Sequence, residues 1–300
     1  MSHPAPPVMT DTHALARQRA GATVDVLHRL VRAELQERLA EVNRTFTRPA
    51  IVTGHPQFWA DFLPDARLIG DADVLEVEAG AHDLVIHAMA LHWSNDPVGQ
   101  LVQARRALAP DGLFLGVQLG GQTLQELRSA LAQAESDLTG SMTARVLPMA
   151  EIRDLGALLQ RAGLALPVAD SVLQRASYRD LFHLAGDLRA MGEGNALAAR
   201  ARSAGTRSLF ARAAALYAQH YPAPPDRIAA SFEFIFLTGW APADSQPRPL
   251  RPGSAKARLA DALGVRETPL PAAVPDRAGG ARSDPRSDSA SSLAPDPAKD

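Results

Sequence analysis

The chain has no cysteine, which removes disulfides, thiol nucleophiles and thiolate metal sites together and agrees with a reducing compartment. Aromatic residues are only 5% of it, and the net charge is −2 with the basic residues scattered. Nothing in that distribution makes an electrostatic footprint for nucleic acid, so nucleic acid is not an expected partner. No apolar run approaches the ~18 residues that cross a bilayer, so no transmembrane segment is expected. The opening MSHPAPPVMTDTH lacks the basic start and apolar stretch of a secretory signal. Taken together, these absences give a cytoplasmic expectation. Glycine is scarce in one stretch in particular: Arg48–Asp71 carries it only at Gly54 and Gly70.

What is present suits a folded domain with a sizeable core, since 46% of the 300 residues are hydrophobic. Residues 1–12 are polar and proline-bearing and read as disordered. Apolar residues then recur at helical spacing from Val24 through Leu27, Leu30, Val31, Leu35, Leu39 and Val42 to Phe46, predicting one amino-terminal helix over 13–47. Ala50–Thr53, Ala66–Ile69 and Val74–Val77 are short β-prone runs, with a possible helix at Pro56–Leu63. Leu84-Val85-Ile86 within Asp83–Ala88 reads as a strand covered on both faces. Asp96 and Pro97 then open a helix with Val98, Leu101, Val102 and Leu108 on its buried side. Asp111-Gly112 turns the chain into the strand Leu113–Gln118, completing a strand-helix-strand unit. Thr123-Leu124-Gln125-Glu126 has the form of a capping box. Helices follow through Ile152–Leu159, Leu181–Leu188 and Leu209–Tyr217, and Ser231–Trp240 is a strand with Phe232, Phe234 and Phe236 on one face. From residue 243 to 300 large apolar residues nearly vanish, predicting a disordered tail with a short helix at Ser254–Gly264 that could dock on a protein partner.

Several blocks in order carry a resemblance: Leu91-His92-Trp93 with Asn95-Asp96, Ala107–Gly112, Gly120–Arg128, Asp154-Leu155-Gly156 with Arg161-Ala162-Gly163, and Met191-Gly192-Glu193 with Asn195. From the long amino-terminal helix through Trp240 the chain resembles the class I S-adenosylmethionine-dependent methyltransferase-like family. The nearest branch includes the mitochondrial complex I assembly factor credited with arginine hydroxylation; the malonyl-carrier-protein methyltransferase of biotin synthesis is more distant. The resemblance implies an α/β fold, a doubly wound and mostly parallel sheet of seven strands, spanning residues 13–242, with the core at 48–120 and a helical insertion and last strands at 121–242. It implies S-adenosylmethionine as cofactor and methyl transfer to a small-molecule or protein acceptor, with a catalytically degenerate binding or assembly factor, or an arginine hydroxylase, as alternatives. Thr53, Gly54, Asp71, Ala72, His87 and Ala88 occupy its cofactor positions, and His92 is placed to act as a base.

The amino-terminal half departs from that pattern. A βα turn for an adenosyl group needs bare backbone for close approach and an acid for the ribose hydroxyls. Here Val52 stands where the family has an acid, and His55, Pro56 and Gln57 follow Gly54 in place of further glycines. A βαβ unit takes about 30 residues, so two crossovers cannot fit between Gly54 and Asp71 and one strand-helix unit is expected to be missing. Asp71 is then open to three readings. Register with Asp83-Leu84-Val85 puts it after a third strand, spacing from Gly54 puts it near the ~20-residue position of a ribose-binding acid after a second strand, and it could simply cap a turn. The register of the downstream blocks favours the first. His82, His87 and His92 recur every five residues, but strand geometry sends the first two to opposite faces, so no metal site is expected. Trp93 is expected to pack beneath its loop, the Gly120-Gly121 backbone to serve the turn rather than an anion, and Glu126 and Arg128 to lie on solvated faces.

Overall fold

A computed structural model describes residues 8–202 and 205–246. Helix α1 (Thr12–Ala20) starts where the Asp11 carboxylate accepts the Ala14 N–H at 3.0 Å. Helix α2 (Val26–Glu41) follows after a break, so the single helix expected over 13–47 is two. The break has a cause: the N–H groups of Thr23 and Val24 donate to the Ala190 carbonyl, at 2.7 and 3.0 Å, instead of continuing a helical ladder. The disorder expected through residue 12 is also corrected for residues 8–12. There the Met9 and Thr10 N–H groups donate to Asn95 Oδ1 and Thr10 is buried.

Strand β1 (Pro49–Thr53), the single-turn helix α3 (Pro56–Trp59), strand β2 (Arg67–Ile69) and strand β3 (His82–Ala88) come next. Val74–Val77 is not a strand. A 3-10 turn at Leu91–Trp93 leads to α4 (Pro97–Ala107), capped as expected by Asp96, which accepts from the Gly99 N–H at 2.8 Å. Strand β4 (Leu108–Leu119) runs longer than expected, passing through Asp111 at φ 61°. Helix α5 (Gln125–Thr139), helix α6 (Ile152–Arg161), strand β5 (Ala165–Tyr178), helix α7 (Leu181–Ala190), helix α8 (Arg207–His220), the two-residue strand β6 (Pro222–Ala223) and strand β7 (Arg227–Trp240) complete the described chain. The expected tail helix at 254–264 lies outside the described residues.

The sheet runs β2-β1-β3-β4-β7-β5, with β6 added to β7. Strands β2, β1, β3 and β4 are mutually parallel, while β7 is antiparallel to both β4 and β5. This is the mostly parallel, doubly wound arrangement expected, and β2 forms the edge beside β1 where a further strand-helix unit would have stood. Strand alternation divides the core. Ile51, Leu84, Ile86, Leu115 and Phe234 meet Leu27, Val31 and Leu35 of α2 together with α5, α7 and α8 on one face. Val52, Val85, Phe114 and Ile235 meet Leu101 and Ala104 of α4 with Leu155 and Leu159 of α6 on the other. Each fully buried Leu or Ile contributes roughly 1.5–3 kcal/mol by leaving water. Val52 therefore belongs to the apolar layer, which leaves no ionisable group at that point of the turn.

Two expectations on α5 fail for one reason. Leu124, not Thr123, holds the N-cap position, at φ 53°. The Thr123 hydroxyl accepts the Glu233 N–H at 3.0 Å, and Glu126 is buried, accepting the Ser231 N–H and hydroxyl at 3.2 and 2.5 Å. Both side chains tie the helix to β7 instead of closing a capping box. Arg128 is half-buried, donating to the carbonyls of Gly121, Thr123 and Leu147. The turn before α5 is structural, as expected: the Gly120 N–H donates to the Glu233 carbonyl and the Gln122 N–H to its carboxylate.

Candidate functional site

Because β1, β2, β3 and β4 are parallel, their carboxyl ends meet on one side of the sheet, where open α/β folds place ligands. A cleft of about 630 Å³ lies there between Gly54, Gly70, Asp71 and Ala72 and the α1 helix, with Trp93 at its end. Strand pairing settles where Asp71 sits: β2 hydrogen-bonds directly to β1, so Asp71 follows the neighbour of the first strand. The third-strand register favoured by the downstream blocks is corrected accordingly.

Arg19 of α1 reaches across this cleft. Its guanidinium is ion-paired with the Asp71 carboxylate, the two side chains being 5% and 22% exposed. It also lies directly on the bare backbone of Gly54, where an added Cβ would collide with Arg19 Nη1. Gly192, at φ +79°, lets the chain pass close behind, since a Cβ there would come within 3.1 Å of both Arg19 Cα and His55 Nε2. The Nε and Nη2 groups of Arg19 are buried without a hydrogen-bond partner among the described residues.

The Asp71 segment is held from below by α4. Gln100 Nε2 donates to the carbonyls of Asp71 and Ala72, each at 3.0 Å, and its Oε1 lies 2.7 Å from His87 Nε2. With the amide committed to two carbonyls, His87 Nε2 must carry the proton. One helical turn on, Gln103 does the same for the next residues, accepting the Leu75 N–H at 2.8 Å and donating to the Asp73 carbonyl at 2.9 Å. These contacts are why Val74–Val77 stays out of the sheet.

Three histidines behind the cleft are neutral by burial. Burial, followed by the neighbouring His55, brings His28 down to about 3. Its Nδ1 accepts the Trp59 indole N–H at 3.0 Å. Burial brings His55 and His87 each to about 4. His92 is buried too, with Nε2 3.5 Å from Glu193 Oε2. Burial acts to raise the Glu193 carboxyl, but His92, Arg19 and His55 outweigh it and hold the group well below the usual carboxylate range. Trp93 Nε1 donates to Glu193 Oε2 at 2.7 Å. On the far side of Trp93 and Glu193 is a second cavity of about 600 Å³, walled by Leu27, Leu124, Leu127, Leu131, Phe210 and Phe232.

The structure thus places Gly54, Asp71 and Ala72 in the cleft wall. Thr53, His87 and Ala88 are buried beneath it, Thr53 Oγ1 accepting the His55 N–H at 3.1 Å. His92 faces Glu193 rather than either cavity. Sequence reasoning did not single out Arg19 or Gln100 and quoted Glu193 only within a motif. A hint existed for the glutamines alone, as a one-turn pair on α4.

The residues in the cleft fit an adenosyl group in kind: bare backbone at Gly54, and a carboxylate at Asp71 beside the first strand to accept from ribose hydroxyls. Both are covered by Arg19 in this conformation, so the fit requires the guanidinium to leave.

The fold is that of the class I methyltransferases, and residues 20–116 match the family described as Methyltransferase domain. Among particular relatives, the chain is similar to the mitochondrial arginine-hydroxylase NDUFAF5 of Danio rerio, 34% identical over 66% of this chain and 62% of that one. It is similar to the human protein of the same name, 34% identical over 64% of this chain and 56% of that one. A malonyl-[acyl-carrier protein] O-methyltransferase of Laribacter hongkongensis is 32% identical over 63% of this chain and 61% of its own. The chain thus spans about three fifths of the length of these relatives. A solved Haemonchus contortus phosphoethanolamine N-methyltransferase 2 overlays with a TM-score of 0.36 at 10% identity, over 68% of this chain and 51% of that one. The cytoplasmic expectation is corrected by the NDUFAF5 relatives from five organisms, which are mitochondrial proteins by name. Among the described residues, no helix is long and apolar enough to cross a membrane.

Proposed function

We propose that this chain is an S-adenosylmethionine-dependent methyltransferase that binds its cofactor in the Gly54–Asp71 cleft and its acceptor, a small molecule or a protein group, in the cavity beyond Trp93. The observation that carries the reading is the pairing of a bare glycine and a carboxylate on adjacent parallel strands, one tryptophan away from an apolar cavity. When bound, S-adenosylmethionine supplies an electrophilic methyl group. The protein's part is positional. Gly54 allows close approach, Asp71 accepts from the ribose, and Gln100 fixes the backbone of Asp71 and Ala72. Glu193 fixes the Trp93 ring between the two cavities. His92, held against Glu193, is the group placed to take up a proton should the acceptor release one.

The Arg19–Asp71 pair favours a second reading, a cofactor-free binding or assembly factor on the same fold; hydroxylation stays with the relatives that bear the name. Calorimetric titration with S-adenosylmethionine and S-adenosylhomocysteine separates them. The first reading expects saturable binding that Asp71→Ala abolishes. No heat at millimolar ligand, from the wild type and from Arg19→Ala alike, leaves the second.

A further inference from the structure

We infer that the apolar cavity beside Trp93 binds a small molecule with a hydrocarbon body and a protonated amine, the ammonium donating to Glu193. This names the acceptor class for the site proposed above and rests on that reading only for what is then done to the ligand. At about 600 Å³ the space suits a small organic molecule. Leucine and phenylalanine side chains from α2, α5, α8 and β7 make its walls, so a hydrocarbon gains by leaving water.

The polar groups that face the cavity decide the head group. Glu193 is 7% exposed at its side chain, and while Oε2 accepts from Trp93, Oε1 is buried with no partner among the described residues. Gln18 Oε1, also on the cavity wall, is likewise buried without a partner. Two unmet acceptors, one of them a carboxylate, call for a donor bearing several N–H groups and a positive charge. Among the described residues, no nearby cation hydrogen-bonds Glu193 Oε1. Arg145 Nη2 donates to Glu135 at 2.7 Å, and Arg189 is exposed at the rim. His92 Nε2 lies 3.5 Å from the other carboxylate oxygen, Oε2, Arg19 is ion-paired with Asp71, and Asn195 is spent on the Ala144 carbonyl and the Leu197 N–H.

The test uses the full chain without cofactor at pH 7.5, with octylamine, octanol and octanoate as probes followed by Trp fluorescence. Octylamine is expected to bind about tenfold or more tighter than octanoate, with octanol between. Glu193→Gln is expected to abolish the preference for octylamine over octanol measured on the same protein. Octanoate binding as well as octylamine overturns the inference. So does an amine preference that survives Glu193→Gln, or no binding of any of the three to the folded wild type. The wild-type ranking decides on its own should the variant not fold. Because no cofactor is present, a negative result here is distinct from a failed cofactor titration.

Discussion

Arg19→Ala is the substitution that separates a cofactor cleft held shut from one that does not bind. In the folded chain Asp71 is engaged by a guanidinium that is itself almost fully buried, so any ligand needing that carboxylate must first break the pair. Exposed ion pairs contribute up to about 1 kcal/mol, and loss of one partner of a buried pair costs about 3–5 kcal/mol. With Asp71 still 22% exposed, this pair falls between them, near 2 kcal/mol. At 1.4 kcal/mol per tenfold, about 2 kcal/mol is roughly a 25-fold reduction in apparent affinity imposed on the wild type. Arg19→Ala is therefore expected to bind S-adenosylhomocysteine about 10- to 30-fold tighter, measured by calorimetry. Arg19→Lys, which keeps the charge but loses the planar fork, should fall between. The same change should lower the melting temperature by several degrees, because an ion pair and the packing over Gly54 are lost together. Equal or weaker binding by a folded Arg19→Ala protein refutes the latch, and weaker binding would make Arg19 a group that holds the ligand.

Further outcomes follow from other contacts. The folded-state pKa values of His28, His55 and His87 are depressed from 6.5 to about 3, 4 and 4, so the unfolded chain takes up protons first. Stability is then complete above pH 6.5 and is lost as pH falls towards 4, at up to about 1.4 kcal/mol per pH unit for each histidine. A melting temperature that stays flat from pH 7.5 to 5 contradicts this. Gly54→Ala would put a methyl group onto the buried Arg19 guanidinium and force it off Asp71, so the protein should lose stability on the scale of Arg19→Ala while S-adenosylhomocysteine no longer binds; undiminished binding would remove Gly54 from the site. Glu126→Ala leaves the Ser231 N–H and hydroxyl unmet in the core, which should cost about 2–4 kcal/mol in urea unfolding; a change within 0.5 kcal/mol, roughly the scale of a surface site, would mean those bonds are not made.

How much of this was visible in the sequence depended on whether a residue's role was local. The start of α4 could be read from Asp96 and Pro97 because both act within one turn of their own helix. Strand β7 could be read because its two faces are both buried and alternate Phe with Ile and Leu. Strand β5 could not: it is an edge strand whose outward positions, including Val168, Val172 and Leu173, stay exposed, so no burial period marks it. Thr123-Leu124-Gln125-Glu126 misled because its side chains found partners on β7, more than a hundred residues away, which a local motif cannot foresee.

The site shows the same division, and there the missing strand-helix unit explains the rest. A full crossover after β1 would lay a long helix beside the turn and carry the chain out to further strands. Here the connection holds only the single turn of α3 before β2, and β2 is left as the open edge next to β1. The acid at its end is ion-paired by Arg19 on α1. Gln100 and Gln103 anchor the segment that follows, which without them would be an unsupported loop. The short connection and the Arg19 contact meet at the same edge, and a variant with a longer crossover between α3 and β2 should weaken the hold of Arg19 on Asp71 without any change at either residue.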